Sequence, residues 1–282
     1  MRRPGAAGSR PPLSTRPIGV DDLRAADVIT ETLAIEAMID VGVYVGTCGW
    51  RDPQRSSRFF PPGLPEEERL AHYAARFNVI ELDLSHTVPT RQQMESWRSC
   101  VSSDFRFTAR MAHTLAHKVC SRHPEDALAP LLRTLEPLDE QLAALLIELP
   151  AGLPPMSDRL SRLLAALPSD RLCAFALPDA QWHRREVYNL LGEFGAAACV
   201  RDGGAGAGPA PAAGSFVYAR LPGPAPAGGG RYGAAALRGW ATRVANWQRK
   251  GNAVFVLFAN ADNGCAFKDA QLLNSYLRHD RR

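Results

Sequence analysis

The chain has 282 residues, 46% of them hydrophobic and 22% charged, which excludes a mostly disordered polypeptide and provides apolar material for a core. Its longest apolar runs, such as 142–147, stop well short of the roughly 18 residues that span a bilayer, so a soluble protein is expected. The net charge of +4 lies in the ends: residues 1–17 hold four arginines and no acid, and the last five hold three arginines and one aspartate, which leaves the body at −2. A phosphate-backbone binder carries its basic face on the folded domain, so nucleic acid is not an expected partner.

Only three lysines stand beside thirty arginines, and Ala, Gly and Pro abound. That composition fits a GC-rich coding bias, which weakens any argument from arginine abundance. The six cysteines form no C-x-x-C pair and no zinc spacing, and several lie in apolar runs where cysteine acts as a small hydrophobe. A reduced, metal-free, cytoplasmic protein is expected.

In chain order, residues 1–19 read as a basic, Pro/Gly-rich tail without the apolar stretch of a secretory signal. An Arg-rich, acid-free start also fits an organelle transit peptide. Asp21 or Asp22 then caps an expected helix to about Met38, within a segment 20–41. Short apolar runs suited to buried parallel strands follow at about 43–48, 79–84, 105–110, 143–149, 172–177, 196–201, 215–221 and 252–259. Helical periodicity fills most gaps, over about 66–77, 91–101, 124–136, 157–166, 183–194, 233–249 and 268–278. Eight strands alternating with helices predict an α/β fold, a single (β/α)8 TIM-type barrel over 42–278, with a short basic end at 279–282. One unit is irregular. Residues 203–214, between the sixth and seventh strands, are Gly/Ala/Pro-rich and cannot hold a stable helix. They also lack the G-K-[ST] ending of a phosphate loop, so a solvated linker is expected.

Active sites of such barrels sit at the carboxyl ends of the strands. The polar residues there are Cys48, Trp50, Glu81, Asp83, Arg110, His113, His117, Glu148, Asp179, Asp202, Arg220, Asn260, Asp262 and Asn263. Both charge signs converge on one mouth, which suits a small polar ligand.

The stretch Val45-Gly46-Thr47-Cys48-Gly49-Trp50 resembles the G-T-S-G-W strand that opens the barrel of the YecE-like family, domain of unknown function 72. Similarity continues through Phe59-Phe60-Pro61-Pro62-Gly63-Leu64-Pro65, Tyr73 to Asn78, Val79-Ile80-Glu81-Leu82, Phe105-Arg106-Phe107, His117, 145–150, Trp182, Tyr218-Ala219-Arg220-Leu221 and 254–258 followed by Asn260. The resemblance implies a TIM-type barrel related to sugar isomerases, with no settled substrate and no cofactor. Glu81, Glu148 and Asp202 could imitate the metal ligands of xylose-isomerase-like barrels. The family pattern has Gln at the position of Glu148, however, so no metal site is carried over.

Several mouth positions depart from the family pattern. Cys48 replaces Ser, Asp83 replaces Asn, Arg110 replaces Lys, Ala116 replaces Thr, and the fifth-strand E-x-R-H becomes Ala176-Leu177-Pro178-Asp179. Such replacements beside a retained apolar framework suit a divergent or catalytically weakened member.

Each candidate has a sharp and a plain reading. Glu81 is a candidate acid/base or a structural carboxylate paired with Arg110 or Arg220. Arg110 and Arg220 clamp a ligand anion, or form buried ion pairs with the mouth acids. His117 is a candidate proton shuttle, whereas His113 reads as a loop residue. Cys48 is a nucleophile if a cation lowers its pKa, and otherwise a small buried residue. Trp50 and Trp182 stack on a sugar or seal the core. Asn260 orients ligand hydroxyls, and Asp262-Asn263-Gly264 also makes a plain turn.

The leading expectation is an isomerase-related protein binding a small polar or anionic carbohydrate-like ligand, a sugar or sugar phosphate. In it Glu81 and His117 are catalytic, and Arg110, Arg220, Asn260, Trp50 and Cys48 bind. The alternatives are a non-catalytic binder with a degenerate site and, more weakly, a metal-dependent nuclease-like barrel.

Overall fold

Strands buried on both faces read as near-continuous apolar runs, and the computed structural model places such runs in one parallel sheet. It describes residues 42–51, 59–85, 87–111, 123–152, 155, 157–202, 216–225, 228–260 and 264–279. The basic tail, the expected helix before residue 41, the Gly-rich stretch 203–214, His113, His117, Asp262 and Asn263 lie outside the described residues.

The strands are β1 (Val43–Cys48), β2 (Val79–Asp83), β3 (Arg106–Arg110), β4 (Leu142–Glu148), β5 (Leu172–Ala176), β6 (Ala197–Ala198), β7 (Val200–Arg201), β8 (Phe216–Leu221) and β9 (Ala253–Phe258). The helices are α1 (Glu66–Ala74), α2 (Arg91–Ser99), α3 (Pro124–Leu135), α4 (Ser157–Ala165), α5 (Arg185–Glu193), α6 (Ala234–Arg249) and α7 (Cys265–His279). Two 3-10 segments, Glu136–Gln141 and Ala180–Trp182, complete the connections.

The sheet order is β6-β5-β4-β3-β2-β1-β9-β8-β7, with every pairing parallel. Its two edge strands are consecutive in the chain and separated only by Cys199, so the sheet curls into a nearly closed barrel. The sixth expected strand is therefore two segments. The first pairs with β5 (Ala174 opposite Ala197) and the second with β8 (Arg220 opposite Arg201). The stagger that closes a barrel lets the start of this strand meet one neighbour and its end the other.

Period-two alternation gives the barrel two apolar layers. Tyr44, Val79, Ala144, Leu146, Ala174, Phe216, Tyr218, Phe255 and Leu257 fill the interior. Aromatic rings on β1, β8 and β9 stack there (Tyr44 on Phe255 at 4.7 Å, Tyr218 on Phe255 at 6.1 Å). Alanines on β4, β5 and β6 face them and leave the room those rings need. Residues between these inward positions, such as Val45, Ile80, Phe107, Leu145, Phe175 and Val256, pack outward against Leu70, Met94, Leu128, Leu163, Leu191 and Leu273.

Close approach at β1 requires a glycine. A Cβ on Gly46 would stand 2.0 Å from the Val79 carbonyl oxygen. Into that gap α1 sends Tyr73, whose hydroxyl accepts from the Thr47 N–H at 2.9 Å and donates to the Val79 carbonyl at 2.9 Å. Helix α2 is held at its start by a capping box between Thr90 and Gln93.

A candidate ligand site at the barrel mouth

Inward positions near the carboxyl ends of β1, β2, β3, β4 and β8 carry Cys48, Glu81, Asp83, Arg110, Glu148 and Arg220. Glu81 is fully buried. Its Oε2 accepts from the Tyr218 hydroxyl at 2.9 Å and its Oε1 from Arg220 Nε at 3.1 Å. The Tyr218 hydroxyl also shares a hydrogen bond with Thr108 Oγ1 at 2.9 Å. Burial beside Glu81 pushes the tyrosine well above its ordinary pKa, so it is a neutral donor.

From Arg220 the network continues across the mouth. Arg220 Nη1 lies 3.6 Å from Glu148 Oε1, and Glu148 Oε2 accepts from Arg110 Nη1 at 2.7 Å. Arg110 Nη2 donates to Asp83 Oδ2 at 2.5 Å and to Ser85 Oγ at 3.0 Å. Asp83 also accepts from the Ser85 N–H at 2.9 Å and from the Ser85 hydroxyl. Burial raises the Asp83 pKa, but the bonds from Ser85 and Arg110 outweigh it and hold the carboxyl below its usual value. Arg110 Nε is the one buried donor of this network without a partner among the described residues.

Acids and bases thus alternate along a chain from β2 through β8, β4 and β3 back to β2. The side chains of Arg110, Arg220 and Glu148 are 15%, 14% and 18% exposed, against 0% for Glu81. Glu81 therefore anchors the network from below, while the other three, together with the more exposed Asp83, form its reachable surface.

The other expected site residues fall in different surroundings. The Cys48 thiol lies beside Glu81 and Arg220, and burial followed by the Glu81 charge pushes it well above the ordinary thiol value. Arg220 opposes that shift without reversing it, so the thiol is not activated there. Trp50 is buried in the outer layer, edge-on to Trp97 at 5.0 Å, and seals the core rather than lining the mouth.

Asn260 is fully buried and donates through Nδ2 to the Gly230 carbonyl at 2.8 Å and to Asp269 Oδ2 at 2.7 Å. Asp269, on α7, also accepts from the Tyr232 N–H at 2.9 Å and Arg231 Nε at 3.2 Å. Asn260 thus belongs to a latch that fixes the connection after β8. Asp179 accepts from the Gln181 N–H at 2.9 Å and starts a 3-10 turn. Among the described residues no group of three or more His, Cys, Asp or Glu is arranged to hold a metal ion, and Glu81, Glu148 and Asp202 do not form one.

Two members of the network, Tyr218 and Thr108, were not among the expected site residues. Each stands two positions before a mouth arginine on its strand, so period-two alternation from Arg220 and Arg110 puts both on the inner face. Away from the mouth, a groove of about 660 Å³ runs between α2 and the 3-10 segment 136–141. Two ion pairs line it, Arg98 with Asp139 at 3.0 Å and Arg91 with Glu95 at 2.9 Å.

Residues 44–282 match the family model described as "Protein of unknown function DUF72". The chain belongs to the DUF72 family. The barrel is similar to that of a DUF72 protein from Thermotoga maritima, with a TM-score of 0.73, 22% identity, and coverage of 84% of this chain and 99% of that one. A DUF72 protein from Enterococcus faecalis superposes with a TM-score of 0.68 at 16% identity, covering 84% and 96%. An L-ribulose 3-epimerase shares the fold at a TM-score of 0.50 and 14% identity, covering 86% and 96%. The UPF0759 protein YecE of Escherichia coli is 26% identical over 114 residues, 40% of this chain. The chain thus spans 39% of the length of that curated relative. Among the described residues of this DUF72 chain, no helix is long and apolar enough to cross a membrane.

Proposed function

We propose that this DUF72 chain binds a small polyhydroxylated, carbohydrate-like molecule at the carboxyl-end mouth of its barrel, with Arg110, Glu148 and Arg220 as its polar contacts. The observation that carries this reading is the alternating acid–base network, which presents hydrogen-bond donors and acceptors side by side at partly exposed strand ends. Sugar hydroxyls both donate and accept, so a surface of paired carboxylates and guanidiniums meets their needs. The fold shared with an L-ribulose 3-epimerase supports the choice of ligand class only through its architecture.

Binding without turnover by Glu81 is favoured over acid/base catalysis. A general base must reach a substrate proton, and Glu81 is fully buried with both oxygens engaged by Tyr218 and Arg220. Its role here is to position Arg220. Titration calorimetry against neutral aldoses, ketoses and polyols tests the reading, paired with proton–deuterium exchange at sugar carbons. At least one neutral sugar is expected to bind wild type, with binding lost in Arg110→Ala and no exchange into the sugar. Absence of binding across the panel would overturn the reading. Exchange that disappears in Glu81→Gln would restore the catalytic role.

A further inference from the structure

Glu148 stands between the two mouth arginines. One of its oxygens accepts from Arg110 Nη1 at 2.7 Å, and the other lies 3.6 Å from Arg220 Nη1. The remaining ion pairs of each guanidinium come from β2, with Glu81 on Arg220 and Asp83 on Arg110. A carboxylate bridging two guanidiniums makes the contacts that an incoming carboxylate or phosphate would make. The place of a ligand anion is thus filled by the protein itself.

The charge count points the same way. Glu81, Asp83 and Glu148 supply three carboxylates to the two guanidiniums of Arg110 and Arg220, so each guanidinium is already neutralised before any ligand arrives, and Arg201, opposite Arg220 in register on β7, lies outside these pairs. An arriving anion must displace Glu148 and then sit beside it in a partly desolvated site, where like charges repel strongly. An uncharged hydroxyl meets neither obstacle: it donates to Glu148 and accepts from either arginine with the network intact.

We infer that Glu148 sets the charge selectivity of the mouth, closing the Arg110–Arg220 clamp to phosphates and carboxylates and leaving it open to uncharged hydroxyl compounds. The inference rests on the proposed reading for the place of the site, but not for the identity of the sugar.

The test uses inorganic phosphate as its probe, by titration calorimetry at fixed ionic strength, on wild type, Glu148→Gln and the double variant Glu148→Gln/Arg110→Gln. Glutamine keeps the size of the side chain and removes its charge. The expected result is that Glu148→Gln binds phosphate at least about tenfold more tightly than wild type, and that the double variant loses the gain. The inference is overturned if wild type binds phosphate as tightly as Glu148→Gln, if the folded variant shows no gain, or if the gain survives loss of Arg110. Should Glu148→Gln fail to fold by circular dichroism, Glu148→Ala is measured in the same way and read by the same outcomes. A mouth that binds no sugar would sink the proposed function without altering the phosphate comparison, and the phosphate comparison can fail while sugar binding stands.

Discussion

Glu81 differs from the surface acids of this protein in what its removal exposes. Glu81→Gln would leave the Arg220 guanidinium with no charge partner nearer than Glu148 at 3.6 Å, beside a fully buried position. Breaking a buried pair in this way costs about 3–5 kcal/mol, read as a shift of the urea midpoint at unchanged slope. Glu95→Gln removes an i,i+4 pair with Arg91 whose side chains are more than half exposed, and should cost less than about 0.5 kcal/mol. Asp83 adds a pH dependence. Its folded pKa lies below its unfolded value, so the unfolded state takes up the proton first. The stabilisation is complete above the ordinary aspartate range near 3.9 and fades as pH falls through the folded value. Wild type should therefore exceed Asp83→Asn in urea midpoint at pH 7, with the difference shrinking by pH 3. A difference that grew on acidification would contradict the assignment.

At the scale of elements, the connection after β8 is tied down by a residue distant in sequence. Asp269 on α7 holds Arg231, the Tyr232 N–H and Asn260 together, and the Tyr232 hydroxyl accepts from the Gly223 N–H at 3.0 Å. Asp269→Ala strips three donors of their acceptor. It should destabilise by about 1–3 kcal/mol and speed amide exchange at Tyr232 more than in β9. Equal exchange at Tyr232 in variant and wild type would argue against the latch. Sequence periodicity could not supply this contact. Asn260 was legible as a strand-end polar residue, but which polar residues meet across a mouth depends on the packing of α7 against β9. Trp50 was ambiguous for the same reason. It follows the end of β1 beside the mouth, yet the partner that decides its role, Trp97, lies on α2.

For the whole molecule, the barrel was largely legible because each strand is buried on both faces and interrupted by helical periodicity, two patterns that survive without knowledge of neighbours. The split of the sixth strand at Cys199 was not, since it reflects the stagger between β5 and β8 rather than any local preference. The candidate site was legible as a set of charges at strand ends, and the plain reading of Arg110 and Arg220 as partners of the mouth acids matches their contacts. Tyr218 and Thr108 needed the inward alternation to be counted back from those charges. The proposed binding site for a small polar molecule is the carboxyl-end mouth, and not the groove beside α2. Nuclear magnetic resonance titration of the wild-type protein with neutral monosaccharides, observing arginine Nε–H and backbone amide signals, addresses it most directly. Saturable shifts at Arg110, Arg220 and the ends of β3, β4 and β8 are predicted, with Arg91, Arg98 and Arg106 unmoved. Shifts confined to those last three arginines, or none anywhere, would overturn that placement of the site.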